Sequence, residues 1–321
     1  MKLGVFTALF SNLSFEDMLD KIEEAGLDCI ELGTGAYPGD AHCKPAELLD
    51  DEKKLEAFQR AIAEHHLEIS ALSFHGNPLH PDAKIAKAHD EVFRRTCELA
   101  GKLGVERVVG FSGCPGGSEK DTRPNWVTCP WPDDYSEAVK WQWEAKVVPY
   151  WREAAAFAGK NKVTKICLEM HPGFVVYNPE TLKKLRDAVG TVIGANFDPS
   201  HLFWQGIDPL RALRALKGAV FHVHAKDTKV YTQNSEVNGV LDLKHYGQAP
   251  ERSWLFRTVG YGHGFSWWKD FVSTLRLIGY DDVLSIEHED GLMSVEEGFS
   301  KAVEFLQQVM LAESPGEMWW A

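Results

Sequence analysis

Short apolar runs alternate with longer amphipathic stretches along the whole chain. Eight runs predict buried strands: Lys2–Thr7, Cys29–Gly33, Ile69–His75, Arg107–Ser112, Lys165–His171, Ile193–Asp198, Val220–Lys226 and Val283–Glu289. Between them, Glu52–His66, Ala83–Leu103 and Ser136–Gly159 carry apolar residues at i, i+3, i+4 and i+7, the period of a half-buried helix. Ser14–Ala25 opens with Ser14 as N-cap and Asp17 three residues on, a weak capping box. Pro179–Val189 and Pro209–Leu216 each begin with a proline, whose missing N–H costs nothing in a first turn. Ser266–Leu277 and Val295–Leu311 complete the helical set.

Strand-then-helix order repeated eight times predicts a parallel sheet, because parallel neighbours need a crossover. Eight units close a (β/α)₈ TIM barrel. An open doubly wound sheet would place a glycine-rich phosphate turn after its first strand, and Thr7-Ala8-Leu9-Phe10-Ser11 is not one. With no linker or shift in composition, residues 1–321 read as one α/β domain. Two connections exceed what the barrel needs: Cys114–Tyr135 after the fourth strand and Thr228–Gly264 after the seventh. Both leave strand ends, so both belong to the face where barrel enzymes keep their active sites, and such loops serve as lids or binding loops.

Composition narrows the function classes. The 321 residues are 44% hydrophobic and 25% charged, enough for a core and unlike a disordered chain. The formal net charge of −13 argues against a surface that tracks nucleic-acid phosphates. No apolar run reaches the roughly 18 to 20 residues of a membrane span. MKLGVFTALF reads as a first strand instead of a signal peptide, since Ser11, Asn12 and Ser14 lead into a helix. Six cysteines without a CxxC spacing read as reduced thiols of a cytoplasmic protein, although Cys114 and Cys129 flank one loop and could pair in an oxidising compartment.

Ionisable residues interrupt the late strands. The fifth, KICLEMH, puts Glu169 and His171 on one face; the sixth ends in Asp198, with His201 three residues on. The seventh, FHVHAKD, aligns His222, His224 and Lys226; the eighth, LSIEHED, aligns Glu287 and Glu289 and turns His288 away. One carboxylate at a strand end is most often a solvated loop residue or a helix cap, and one such histidine is most often a satisfied core residue. Four successive strands ending this way are different, because buried like charges are costly without a cation. Two Glu, one Asp and one His at a barrel mouth suit Mn²⁺, Mg²⁺, Co²⁺ or Zn²⁺.

The succession LEMHP, NFDPSH, HVHAKD and SIEHED resembles the xylose-isomerase-like TIM-barrel superfamily, which holds sugar and sugar-phosphate isomerases and epimerases and endonuclease IV. The resemblance runs from LGVFT through SFHGNPLHPD to the last strand. It implies one divalent ion, Mn²⁺ first, held by Glu169, Asp198, His224 and Glu287, with His224 preferred to His222 because HxKD begins there. It implies a sugar isomerase or epimerase that removes a proton next to a carbonyl and passes through a metal-stabilised enediolate. Glu169 and Glu287 would move the proton, and His201 would act beside the ion on substrate. Further expected substrate contacts are His75, His171, Lys226, Trp126 and Arg257. A small-molecule carbohydrate is the expected partner, without nucleic acid or membrane, and with association into a homo-oligomer or with a small partner subunit.

Departures from the pattern leave other outcomes open. HAKDTKVY lacks the Glu-containing, Arg-ending turn of free-ketose 3-epimerases. The fourth strand, RVVGFSG, offers no histidine for the trinuclear site of endonuclease IV, and no Asp-x-His follows His224. Relatives acting on 3-oxo-glycosides share the first step but eliminate the C1 substituent, a lyase outcome that a tryptophan-bearing loop would suit. Asn125–Trp131 and Trp254–Gly264 are therefore expected to cover the mouth. Gly260-Tyr261-Gly262-His263-Gly264 is a weak candidate for close backbone approach to an anion. A non-catalytic sugar-binding barrel is the remaining reading, against which the four-ligand set speaks.

Overall fold

In the computed structural model, which describes residues 1–320, eight parallel strands close into a barrel. They are β1 (Lys2–Phe6), β2 (Cys29–Gly33), β3 (Glu68–Ser73), β4 (Arg107–Gly110), β5 (Lys165–Glu169), β6 (Ile193–Phe197), β7 (Val220–Ala225) and β10 (Val283–Ile286). Each is hydrogen-bonded to its neighbour in sequence, and β10 closes against β1 with Lys2 opposite Val283. The intervening helices bury their apolar stripes against the barrel: Met18, Leu19 and Ile22 from the first, Phe93 and Leu99 from Ala83–Leu103, Trp268 and Phe271 from Phe265–Leu277. The capping at Ser14 is realised, its side chain accepting from the Asp17 amide at 3.1 Å.

All eight expected strands are present, and all but Cys29–Gly33 end one to three residues early. The residues beyond their ends, among them His171, Asp198, Lys226, Glu287 and Glu289, form the rim. The expected helix over Ser136–Gly159 is three segments, Asp133–Trp141, a π-helical turn at Gln142–Val147, and Val148–Lys160. The connection after β7 is not a plain loop. It holds an antiparallel hairpin of β8 (Asp227–Val230) and β9 (Trp254–Arg257), with a short helix at Thr232–Asn238 between them. Its signal was hidden because each strand has only four residues. All six cysteines are unpaired, Cys114 buried and Cys129 exposed. Among the described residues no helix is long and apolar enough to cross a membrane.

Candidate active site

Glu169 is the last residue of β5, Asp198 follows β6, His224 lies near the end of β7 and Glu287 follows β10. The barrel register sets Glu169 beside Asn196 and Ser285 beside His224, so the four side chains meet at one end of the barrel. One ligand atom from each lies within 4.8 Å of the others. His224 Nδ1 is 2.9 Å from Glu287 Oε2 and 3.3 Å from Glu169 Oε2. Glu169, Asp198 and His224 are fully buried.

Cationic and polar groups interleave with these carboxylates. Glu169 accepts from His201 Nε2 at 2.9 Å, Asn196 Nδ2 at 3.0 Å and His75 Nε2 at 3.2 Å. Lys226 Nζ lies 2.9 Å from both Glu287 and Glu289 and 3.2 Å from Asp198. Burial alone would raise Asp198, but the charges of Lys226 and His201 hold it below the usual carboxylate range. Burial would likewise lower His201, yet Asp198 beside it lifts it to about 9. Asp198 Oδ2 is buried between Lys226 Nζ and His201 Nε2, each at 3.2 Å, while Oδ1 accepts from the Ser200 amide at 2.8 Å. Three carboxylates and an imidazole nitrogen converging within 4.8 Å make a donor set that fits a divalent cation with mixed oxygen and nitrogen ligands.

One residue of this centre was missed by sequence reasoning. Glu31, on β2, is fully buried inside the barrel beneath the cluster. Its carboxylate accepts from Ser285 Oγ at 2.7 Å, His222 Nε2 at 2.9 Å, His224 Nε2 at 3.0 Å and the Ser73 hydroxyl. Burial would raise it, but the neighbouring His224 and His222 hold it well below its ordinary value. The signal was a glutamate inside the apolar run CIELG, the one acid in an otherwise apolar early strand. Glu31, His222 and His224 also lie close enough to hold an ion, but the Nε2 atoms of both histidines are bonded to the Glu31 carboxylate.

The expected substrate contacts separate into two groups. His75 lines a cavity of about 420 Å³ with Phe6, Tyr37, Phe111 and Glu287. His171 lines a second cavity of about 350 Å³ with Tyr246, Leu255, Phe256 and Leu292. Glu289 touches both, and Lys226, itself buried, reaches across to it. His201 lines neither; it is buried behind Glu169 and Asp198, with its ring 4.1 Å from that of His171. Arg257 is held by Asp290 at 2.9 Å. Trp126 lies in a different groove, among Tyr177, Gln142 and Lys184, and Trp254 is stacked on Trp204 at 4.5 Å. Trp126 and Trp254, from the segments expected to cover the mouth, thus line neither cavity, though Trp254 packs against Phe256 and Tyr246, which line the second. Aromatic composition marked the segments, but their side chains satisfy neighbouring helices and the hairpin instead. The Gly260–Gly264 loop donates the amides of Gly260, Gly262 and His263 to Asp227 Oδ2 at 3.2, 3.0 and 2.8 Å.

The xylose isomerase-like TIM barrel family model matches residues 19–309. The chain belongs to that family. A protein of Bacillus subtilis (strain 168), "Uncharacterized protein YfiH", is 40% identical over 312 residues, covering 97% of this chain and 99% of that one. Among solved structures, a D-tagatose 3-epimerase-like protein superposes with a TM-score of 0.63 at 21% identity, covering 96% of this chain and 98% of its own. The IolI protein with a bound zinc atom gives the same TM-score, identity and coverage. These distant structures share the barrel.

Proposed function

We propose that this chain is a divalent-metal-dependent isomerase or epimerase of a sugar or sugar derivative. The observation that carries the reading is the meeting of Glu169, Asp198, His224 and Glu287 at the barrel mouth, with a ligand atom of each within 4.8 Å of the others. An epimerase-like relative and a zinc-bearing one on the same barrel support it. These four residues would hold the ion, Mn²⁺ first, with Mg²⁺, Co²⁺ and Zn²⁺ as alternatives. When bound, the ion would polarise a carbonyl and its neighbouring hydroxyl, acidifying the carbon-bound proton between them. Glu169 and Glu287 would carry that proton, one taking it and one returning it. His201, bonded to Glu169 Oε1, would set that carboxylate's orientation, and Lys226 would hold Glu287 toward the mouth.

The same proton removal also begins elimination of a group from the next carbon. The apolar cavity beside His171 has room for such a group, which keeps a lyase as the second reading. The deciding measurement is proton NMR in deuterium oxide with a panel of ketoses and 3-oxo-glucosides. Metal-dependent loss of one carbon-bound proton signal is the expected result, and product analysis separates epimer from eliminated sugar. Absence of exchange in every member with the metal-loaded protein would overturn the proposal.

A further inference from the structure

The mouth has two cavities of unlike character on either side of Glu289. The larger, about 420 Å³, combines aromatic walls with the polar ends of Ser11, His75 and Glu287. The smaller, about 350 Å³, is walled by Tyr246, Ala249, Leu255, Phe256 and Leu292, with His171 and Glu289 as its ionisable edge. Tyr246 and Leu292 are each 54% exposed, an unusual position for large apolar side chains beside a buried ionic cluster. Each volume alone falls in the range that houses a small ligand, and together they exceed the needs of one monosaccharide.

Neither cavity is lined by a lysine or an arginine among the described residues. Lys226 is engaged by three carboxylates and Arg257 by Asp290. The backbone amides that could have cradled a phosphate, in the Gly260–Gly264 loop, are given to Asp227. The ionic group presented to both cavities is Glu289, whose side chain is half exposed. A phosphate or carboxylate entering here would lose water, meet the like charge of Glu289 and find no lysine or arginine free to pair with it.

We infer that the mouth takes an uncharged carbohydrate carrying an apolar substituent, the sugar beside His75 and Glu287 and the substituent against Tyr246, Phe256 and Leu292. This rests on the proposed sugar chemistry for where the reacting carbon lies, but its recognition can be measured without turnover. The probes are methyl and phenyl glycosides of glucose, galactose and mannose, together with glucose 6-phosphate and gluconate. Isothermal calorimetry with the Mn²⁺-loaded protein should show at least one phenyl glycoside binding tenfold or more tightly than its methyl counterpart. Both anions should bind more weakly than either. In Tyr246→Ala and in Leu292→Asp the phenyl-to-methyl ratio should fall toward one. Tighter binding of an anion, no binding of any glycoside, or an unaltered ratio in both variants would overturn the inference. Deuterium exchange separates the two proposals. A phenyl preference without exchange in any sugar sinks the isomerase reading alone, whereas exchange confined to sugar phosphates sinks the substrate class alone.

Discussion

His224 Nε2 lies 3.0 Å from Oε2 of Glu31, a carboxylate on β2 that is separated from β7 by β1 and β10 around the barrel. The bond fixes Nε2 as the nitrogen that donates to protein. Burial would lower His224, but Glu31 and Glu287, on opposite sides of the ring, hold it well above its ordinary pKa. With Nε2 kept as the donor to Glu31, a bound ion would take the place of the proton on Nδ1, the atom 2.9 Å from Glu287. Partners of this kind orient a ligating imidazole and raise its basicity, and their loss typically weakens metal affinity about 10- to 100-fold. Glu31→Gln, which keeps shape but removes the charge, should lose Mn²⁺ affinity within that range in chelator competition. An unchanged affinity would show that His224 is held by its strand alone.

The four-ligand assignment has a sharper test. Asp198→Asn and Glu287→Gln each preserve volume and remove one anionic ligand. Elemental analysis after dialysis should find metal content falling below about a tenth of wild type, and exchange activity with it. Full occupancy and activity in both proteins would move the ion elsewhere.

His201 should behave differently from these ligands. Its Nε2 contacts Glu169 at 2.9 Å and Asp198 at 3.2 Å, and its ring is closed off from both cavities. In His201→Gln the protein should keep its ion, while kcat falls about 10²-fold or more with KM little changed, the mark of a misplaced proton carrier. Metal loss in proportion to activity would make it a ligand.

The barrel and the metal centre were legible for one physical reason: both are strand-end phenomena. Apolar runs of five to seven residues separated by amphipathic helices read directly as βα units, and acids at the ends of the late runs mark the rim. Glu31 was not legible because its role depends on a contact 193 residues away, to His224, which only barrel closure creates. The hairpin Asp227–Val230 with Trp254–Arg257 escaped notice because its pairing spans a long excursion. The Gly260–Gly264 loop suggested an anion site from its glycines. The anion it meets is Asp227 of the protein itself.

The loop after β3 carries a pH dependence of its own. His89 Nδ1 accepts from the Asn77 amide at 2.8 Å, and Asn77 in turn ties this loop to Cys114 after β4. Accepting there requires a neutral ring, and burial, with His80 nearby, holds His89 below its usual pKa of 6.5. A depressed histidine contributes stability that is present above its unfolded pKa and lost as pH falls through the folded value. Between about pH 7 and pH 5 the thermal midpoint of wild type should therefore drop more steeply than that of His89→Gln, which accepts without titrating. Parallel curves would show that the bond to Asn77 survives protonation.

The tryptophans supply the last test, because their rings sit outside the two cavities while Leu255 and Phe256, from the segment that Trp254 opens, line one of them. Asn125–Trp131 and Trp254–Gly264 both leave strands at the catalytic end, as a cover would. Yet Trp126 meets Tyr177 edge-on at 5.5 Å in its own groove, and Trp131 is 74% exposed. Trp254 is buried, stacked on Trp204, with its indole N–H given to the Val240 carbonyl at 3.0 Å. A ring fixed on three sides makes a strut for the β8–β9 hairpin, and the walls of the mouth fall to Tyr37, Phe111, Tyr246 and Phe256 instead. Trp254→Ala should consequently lower the unfolding free energy, through the cavity it leaves, by roughly the cost of a large aromatic truncation, about 3 to 5 kcal/mol, read by denaturant titration. Trp126→Phe should leave glycoside affinity as it is, and saturating glycoside should leave the tryptophan emission of wild type unshifted. An emission shift that disappears in Trp126→Phe, together with changed selectivity between small and bulky glycosides, would mean that the loop closes over the mouth when ligand binds.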